Sequence, residues 1–272
     1  MAESGAPRAV GLRFVIVAAV LVALAVVALP VGLGALVPPA CGCLSTPTHP
    51  PGWTPWPVSD DQAADTASRL AGVSVRTRTY EITLSGRPLI EAQGITAVAF
   101  VDANSGAVLA TVIEDRLPDS GTTLASTEAA RSAAEAFLAA GRISPTGLTE
   151  ATELVKRASV AFYDVTWTSP DANKPRLEVL VNPASGAVFA YRDLGSGLEL
   201  SIPVLGYKAA VRLVAASSYA NGETPDPANQ PQPDLMDPSL NAANGHDWSW
   251  DVSLSHRFVE VDAETGVLWT WN

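Results

Sequence analysis

Histidine, cysteine and methionine are nearly missing from this chain of 272 residues, which has three, two and two of them. A zinc hydrolase needs two histidines and a carboxylate in a His-Glu-x-x-His frame, and His49, His246 and His256 form no such frame. Cys41 and Cys43 have only His49 nearby, short of the four ligands of a structural zinc site. They also lie too close together for an unstrained internal disulfide. Acylation, an intermolecular disulfide and no role at all stay open for this pair. The chain has no Gly-x-Ser-x-Gly, no phosphate-binding glycine loop and no Cys-x-x-Cys. No catalytic residue, cofactor or metal is therefore expected. Basic residues are also scarce, 17 against 28 acidic ones, for a net charge of -11. Such a balance argues against nucleic acid as a partner.

Charge is missing altogether from Phe14 to Val37. Those 24 residues make a helix of roughly 36 Å, enough to cross a bilayer core. Arg8 and Arg13 precede the stretch, and no Lys or Arg comes after it until Arg69. The positive-inside rule then puts residues 1–13 in the cytoplasm and the bulk of the chain outside, as a single-pass protein of the cell membrane. An uncleaved signal anchor at 14–37 is the expectation; a cleaved peptide or a lipid-anchored form is the alternative, although Pro38 and Pro39 interrupt the small-residue stretch a peptidase would need. Residues 38–58 hold seven prolines and read as a semi-rigid spacer. Trp53 and Trp56 within it either meet the membrane interface or pack on the first folded module, the second being favoured.

Beyond the spacer one short turn recurs. It reads Val101-Asp102-Ala103-Asn104-Ser105-Gly106, then Val181-Asn182-Pro183-Ala184-Ser185-Gly186, then Val261-Asp262-Ala263-Glu264-Thr265-Gly266, and the glycines stand 80 residues apart twice. Each turn lies between two apolar, strand-like runs. The physical reading is a hairpin turn, in which Asp102, Asn182 or Asp262 accepts a hydrogen bond from the backbone two residues on and Gly106, Gly186 or Gly266 takes the left-handed conformation. Asp102-x-Asn104-x-Gly106 imitates the start of a calcium loop, but the glycine is one place early and position twelve is Ile113.

A helix precedes each set of strands. Ser59 caps one through Ala71, with Gly72 as its stop; Ser126 or Thr127 caps a second through Ala140, ended by Gly141; a third runs from about Tyr207 to Tyr219. The expected fold is α+β: an N-terminal transmembrane helix, then three repeated modules, each a helix packed on a small antiparallel sheet. Their bounds are 59–118, 119–195 and 196–272. The third carries a Pro-rich insertion, 223–240, that reads as a disordered loop or a lid. Trp248, Trp250, Trp269 and Trp271 alternate along two strands of the third module. Core packing is one reading of them. An exposed aromatic surface for a partner, beside an edge that accepts a strand, is the other.

An Ala-rich helix followed by strands that end in Val-Asp-Ala-x-Thr-Gly-x-Val resembles the PepSY domain. The resemblance is carried by Thr127 to Ala140 with Leu177 to Tyr191, by Arg257 to Trp271, and less closely by Asp60 to Ala71 with Ile95 to Val112. It implies a non-enzymatic, membrane-anchored extracytoplasmic binding protein whose partner is an extracytoplasmic protein, a secreted or envelope peptidase that it modulates or inhibits being the expected class. A scaffold of the cell envelope that self-associates through its modules is the alternative.

Overall fold

A computed structural model describes residues 56–270, except 77, 85, 172–173, 199, 221, 224, 226–234, 237–247 and 255–256. Within them the order of a helix followed by four strands occurs three times. The first helix, Asp60–Ala71, precedes β1 (Arg78–Leu84), β2 (Arg87–Gln93), β3 (Ala97–Asp102) and β4 (Val108–Ile113). The second, Thr127–Ala140, precedes β5 (Thr149–Arg157), β6 (Val160–Ser169), β7 (Lys174–Val181) and β8 (Val188–Asp193). The third, Tyr207–Ala216, precedes β9 (Leu235–Met236), β10 (Ser249–Ser253), β11 (Phe258–Asp262) and β12 (Leu268–Thr270). The apolar segment 14–37 lies outside the described residues, among which no helix is long and apolar enough to cross a membrane.

Each helix begins where local chemistry satisfies its free N–H groups. Ser59 and Gln62 form a reciprocal capping box, with Gln62 N donating to Ser59 Oγ at 3.3 Å and Ser59 N to Gln62 Oε1 at 3.0 Å. Ser126 Oγ accepts from Ala129 N at 3.2 Å. The third helix starts at Gly206, which has no side chain to cap with, and Asp119 takes over: its Oδ1 accepts from Ala209 N at 3.2 Å. This helix stops at Ala216 rather than near Tyr219, and a single 3-10 turn, Ser218–Ala220, comes after it.

The expectation of a small separate sheet for each of three modules does not describe the first two. Their strands form one eight-stranded antiparallel sheet in the order β1-β2-β3-β4-β8-β7-β6-β5, while the last four strands form a sheet of their own, β12-β11-β10-β9. The junction is β4 against β8, with Ala110 opposite Arg192, Thr111 opposite Tyr191 and Val112 opposite Ala190. Since residue 191 is residue 111 plus 80, the two strands meet at matching positions, as across a local two-fold axis normal to the sheet.

Both faces of the large sheet are covered. The first and second helices lie on one face, over Ile90, Ala99, Val101, Val165, Val179 and Tyr191. Trp56 and Val58, from the end of the Pro-rich stretch, pack against this core as well. On the other face, Leu89, Phe100, Val112, Phe162, Leu180 and Ala190 meet Leu198, Leu200, Ile202, Val204 and Leu205 and the third helix with its sheet. β3 and β4 are consequently buried along their whole length and read as unbroken apolar runs. β5, at the sheet edge, is mostly exposed and polar.

Candidate functional site

The recurring turn is built on one plan three times. Asp102 Oδ1 accepts from Asn104 N and Ser105 N at 3.1 and 2.7 Å, Asn182 Oδ1 from Ala184 N at 2.9 Å, and Asp262 Oδ1 from Glu264 N and Thr265 N at 2.8 and 2.7 Å. The hydroxyls of Ser105, Ser185 and Thr265 each accept from the backbone N–H two residues later at 3.3 Å. Gly106, Gly186 and Gly266 hold φ of 74°, 73° and 75° and donate back to the carbonyls of 102, 182 and 262. The residue just before each helix cap then clasps its turn: Val58 N donates to Ala103 O, Ala125 N to Pro183 O and Leu205 N to Ala263 O, at 3.2, 2.9 and 2.9 Å. The shared frame of the turn is thus occupied in holding hairpin to helix. One side-chain oxygen of each Asp or Asn, and each Ser or Thr hydroxyl, is hydrogen-bonded within the loop, as a hairpin turn requires.

The remaining atoms at the first position explain the choice of side chain. Asp102 Oδ2 accepts from Arg87 Nε at 2.7 Å, while Asn182 donates through Nδ2 to Arg116 O at 2.9 Å, which a carboxylate could not do. Burial raises the Asp102 carboxyl, but the Arg87 guanidinium and the bonds from Ser105 and Asn104 outweigh it, and its pKa lies below the ordinary value.

The aromatic surface is corrected in part. Trp248 and Trp250 are 2% and 3% exposed and belong to the core. Trp248 stands edge-on to Phe100 at 6.4 Å and donates through Nε1 to Ser201 O at 3.0 Å. Trp250 packs on Tyr207 at 5.5 Å and donates to Leu205 O at 2.7 Å. Alternation does put the two on one face, but that face is turned towards the large sheet and the third helix, where an indole finds both apolar area and a carbonyl for its N–H. Trp269 is half-buried on β12, which is the edge strand of its sheet, and Trp271 lies outside the described residues. Phe258 and Val267, beside that edge, are 54% and 49% exposed.

Two polar features were not read from the sequence. An open pocket of 340 Å³ lies between Ile95 and Thr96 of the β2–β3 turn, the residues after β4 and the start of the third helix. Glu114, Asp115 and Asp119 line it beside Lys208, with Leu117, Tyr207 and Trp250 as its apolar wall. Asp119 is already engaged in capping the helix. The second feature is a cluster on the sheet face turned towards β10–β12. There Arg192 grips Glu178 with two bonds, Nε to Oε2 at 2.5 Å and Nη2 to Oε1 at 3.1 Å, and Arg157 reaches Glu264 at 3.0 Å. Asp164 sits among them; burial first, and then repulsion from Glu178, push its carboxyl up to about 6. The space beside these groups is only 80 Å³, too small for a substrate. Among the described residues no three metal-ligating side chains are grouped, and Cys41, Cys43, His49, His246 and His256 lie outside those residues. What the arrangement can do is hold layers together and present edges.

No family model and no curated protein matches the chain. Among solved structures, the chain is loosely similar to the C-terminal domain of YpeB from Bacillus megaterium, at 11% identity, over 79% of this chain and 98% of that one, with a TM-score of 0.39.

Proposed function

We propose that the chain is a non-enzymatic, membrane-anchored extracytoplasmic binding protein built of three PepSY-like modules, and that the third engages a protein partner, an envelope or secreted peptidase being the class the family resemblance implies. The observation that carries this reading is the edge of the smaller sheet. β12 ends the strand order, and Phe258, Val267 and Trp269 surround it with apolar surface. A strand added there gains backbone hydrogen bonds from β12 and side-chain specificity from these three residues. The test is site-specific photo-crosslinking from position 267 of the full chain in its native membrane, with exposed Leu124 as the control position. The expected product is an extracytoplasmic protein joined at 267 and not at 124. Equal labelling at both positions, or none, removes the third module as the docking element. The anchor is tested alongside: protease added outside intact cells is expected to digest residues beyond 58, and their protection reverses the orientation.

The alternative, an envelope scaffold that assembles through its own modules, is favoured by the β4–β8 junction, where matching strands pair edge to edge. A crosslink from 267 to a second copy of the chain selects that reading.

A further inference from the structure

The eight-stranded sheet ends in two edge strands, β1 and β5, of which β5 is the longer. β5 is nine residues long and pairs with β6 without a register shift, whereas the β3–β4, β6–β7 and β7–β8 ladders each contain one. It carries no proline, and among the described residues no element lies beyond it in the strand order. Natural edges are usually blunted by a proline, a bulge, a very short strand or charged side chains, and of these β5 has only the charges of Glu150, Glu153, Lys156 and Arg157. Ala158 and Ser159 close the hairpin with φ of 48° and 69°, the two-residue turn in which the flanking pair, Arg157 and Val160, exchanges both hydrogen bonds. Alternation then leaves the backbone groups of Glu150, Thr152, Leu154 and Lys156 directed away from β6.

We propose that β5 pairs antiparallel with β5 of a second copy of this chain, about a two-fold axis at Leu154, joining two large sheets into one. The side chains fit this partner in two ways. First, the strand is polar in charge: Glu150 and Glu153 lie in its first part, and Lys156 and Arg157 in its last. Reversal by the two-fold brings each acidic part against a basic one. With Leu154 opposite itself, Thr152 faces Lys156 and Glu153 faces Val155. Glu150 is then diagonal to Lys156 on one face, within reach of long side chains; on the other face Glu153 is diagonal both to Arg157, which also holds Glu264 of its own chain, and to the second copy's Glu153, so the attraction comes mainly from the first face. No like charges stand opposite one another, whereas an axis at Glu153 sets two glutamates face to face. Second, Leu154 is 45% exposed, and the axis buries it against its own copy. The molecule already contains such a contact, Thr111 of β4 opposite Tyr191 of β8.

About six backbone hydrogen bonds and one apolar contact make a small interface, so the dimer is expected at a Kd on the order of 10 μM. This inference does not depend on the partner reading, since β5 and β12 are edges of different sheets. The test uses the full chain in mild detergent, with Cys41 and Cys43 changed to Ser. Sedimentation should show a monomer–dimer equilibrium that Leu154→Lys weakens at least tenfold while the circular dichroism spectrum is unchanged. Cysteine placed at 154 should form a disulfide-linked dimer on mild oxidation, because hydrogen-bonded antiparallel neighbours fall within bridging distance. A chain that stays monomeric at about 100 μM, well above that Kd, overturns the proposal. A dimer indifferent to Leu154→Lys does so too, since it forms elsewhere. More efficient crosslinking from Glu153→Cys than from Leu154→Cys overturns the axis.

Discussion

Residues 60–193 and residues 207–270 use the same element order and the same helix-to-turn clasp, yet their last strands meet different fates. In the first region β4 finds β8, and the two edges vanish into one continuous sheet. In the second, β12 remains an edge. The large sheet then gains its second covering layer from the smaller region, through Phe100 against Trp248 and through the β5–β6 hairpin tip resting on the turn at Gly266. One local design therefore yields a buried junction in one place and a presenting edge in the other. What differs is the partner surface, because the turn and the clasp are the same in both.

The contact between the regions should be the most sensitive point. Trp248→Ala removes a fully buried indole and its bond to Ser201 O, and should cost about 3–5 kcal/mol in denaturant unfolding. Loss of coincidence between tryptophan fluorescence and circular dichroism would show residues 207–270 releasing first; coincident curves would show one cooperative unit spanning both regions.

The three turn glycines sharpen the comparison, because their surroundings are unequal. A Cβ at Gly266 would meet Ala158 Cβ at 2.8 Å and Leu213 Cδ1 at 3.2 Å, whereas at Gly106 the nearest atom, Val58 Cγ2, is 3.5 Å away. Gly266→Ala should thus cost about 2–3 kcal/mol and Gly106→Ala about 1 kcal/mol, the latter mostly for the positive φ. Equal losses would mean that the hairpin tip does not press on the turn. At the second turn, Asn182→Asp turns a donor into a carboxylate facing Arg116 O and should cost about 2 kcal/mol at neutral pH, an effect that shrinks on acidification as the new carboxyl regains a proton to donate.

The smallest effect concerns the charged cluster between the layers. The Asp164 carboxyl titrates near 6 in the fold, above its ordinary 3.8, so the fold holds that proton more tightly than the unfolded chain does. Its favourable contribution is complete below about 4 and is lost as pH rises through 6. Asp164→Asn should therefore stabilise the protein at pH 7–8 by about 1–2 kcal/mol, allowing for partial exposure, and flatten the stability profile between pH 4 and 6. An unchanged profile would mean that Asp164 stays solvated.

The sequence made the helices and hairpins legible because their signals are local. Ser59, Ser126 and Gly72 announce helix ends, and the Asp or Asn with its glycine four residues on announces a turn whose hydrogen bonds close within six residues. The β4–β8 junction was not legible: the apolar runs at Val108–Ile113 and Val188–Asp193 show that both are buried, but not that they are buried against one another. β5 was missed because Glu150, Glu153 and Lys156 give no apolar alternation on an exposed edge. Trp248 and Trp250 were legible as a shared face, but which side of the sheet the large sheet would cover is decided over 148 residues, by Phe100. Asp119 could have been found only by noticing that Gly206 leaves its helix without a cap.

The β4–β8 junction also sets a schedule. Strand β4 is complete once residue 113 has been made, but its neighbour ends at residue 193, 80 residues later. At about 5–20 residues per second, the growing chain carries an unmatched β4 for roughly 4–16 s. Throughout that interval the unmatched β4 of a second, equally unfinished chain offers a competing edge, since β8 is paired on both sides in a finished one. Fidelity at this junction thus rests on tethering, since a strand on the same chain arrives at an effective concentration that a stray molecule reaches only where synthesis is crowded.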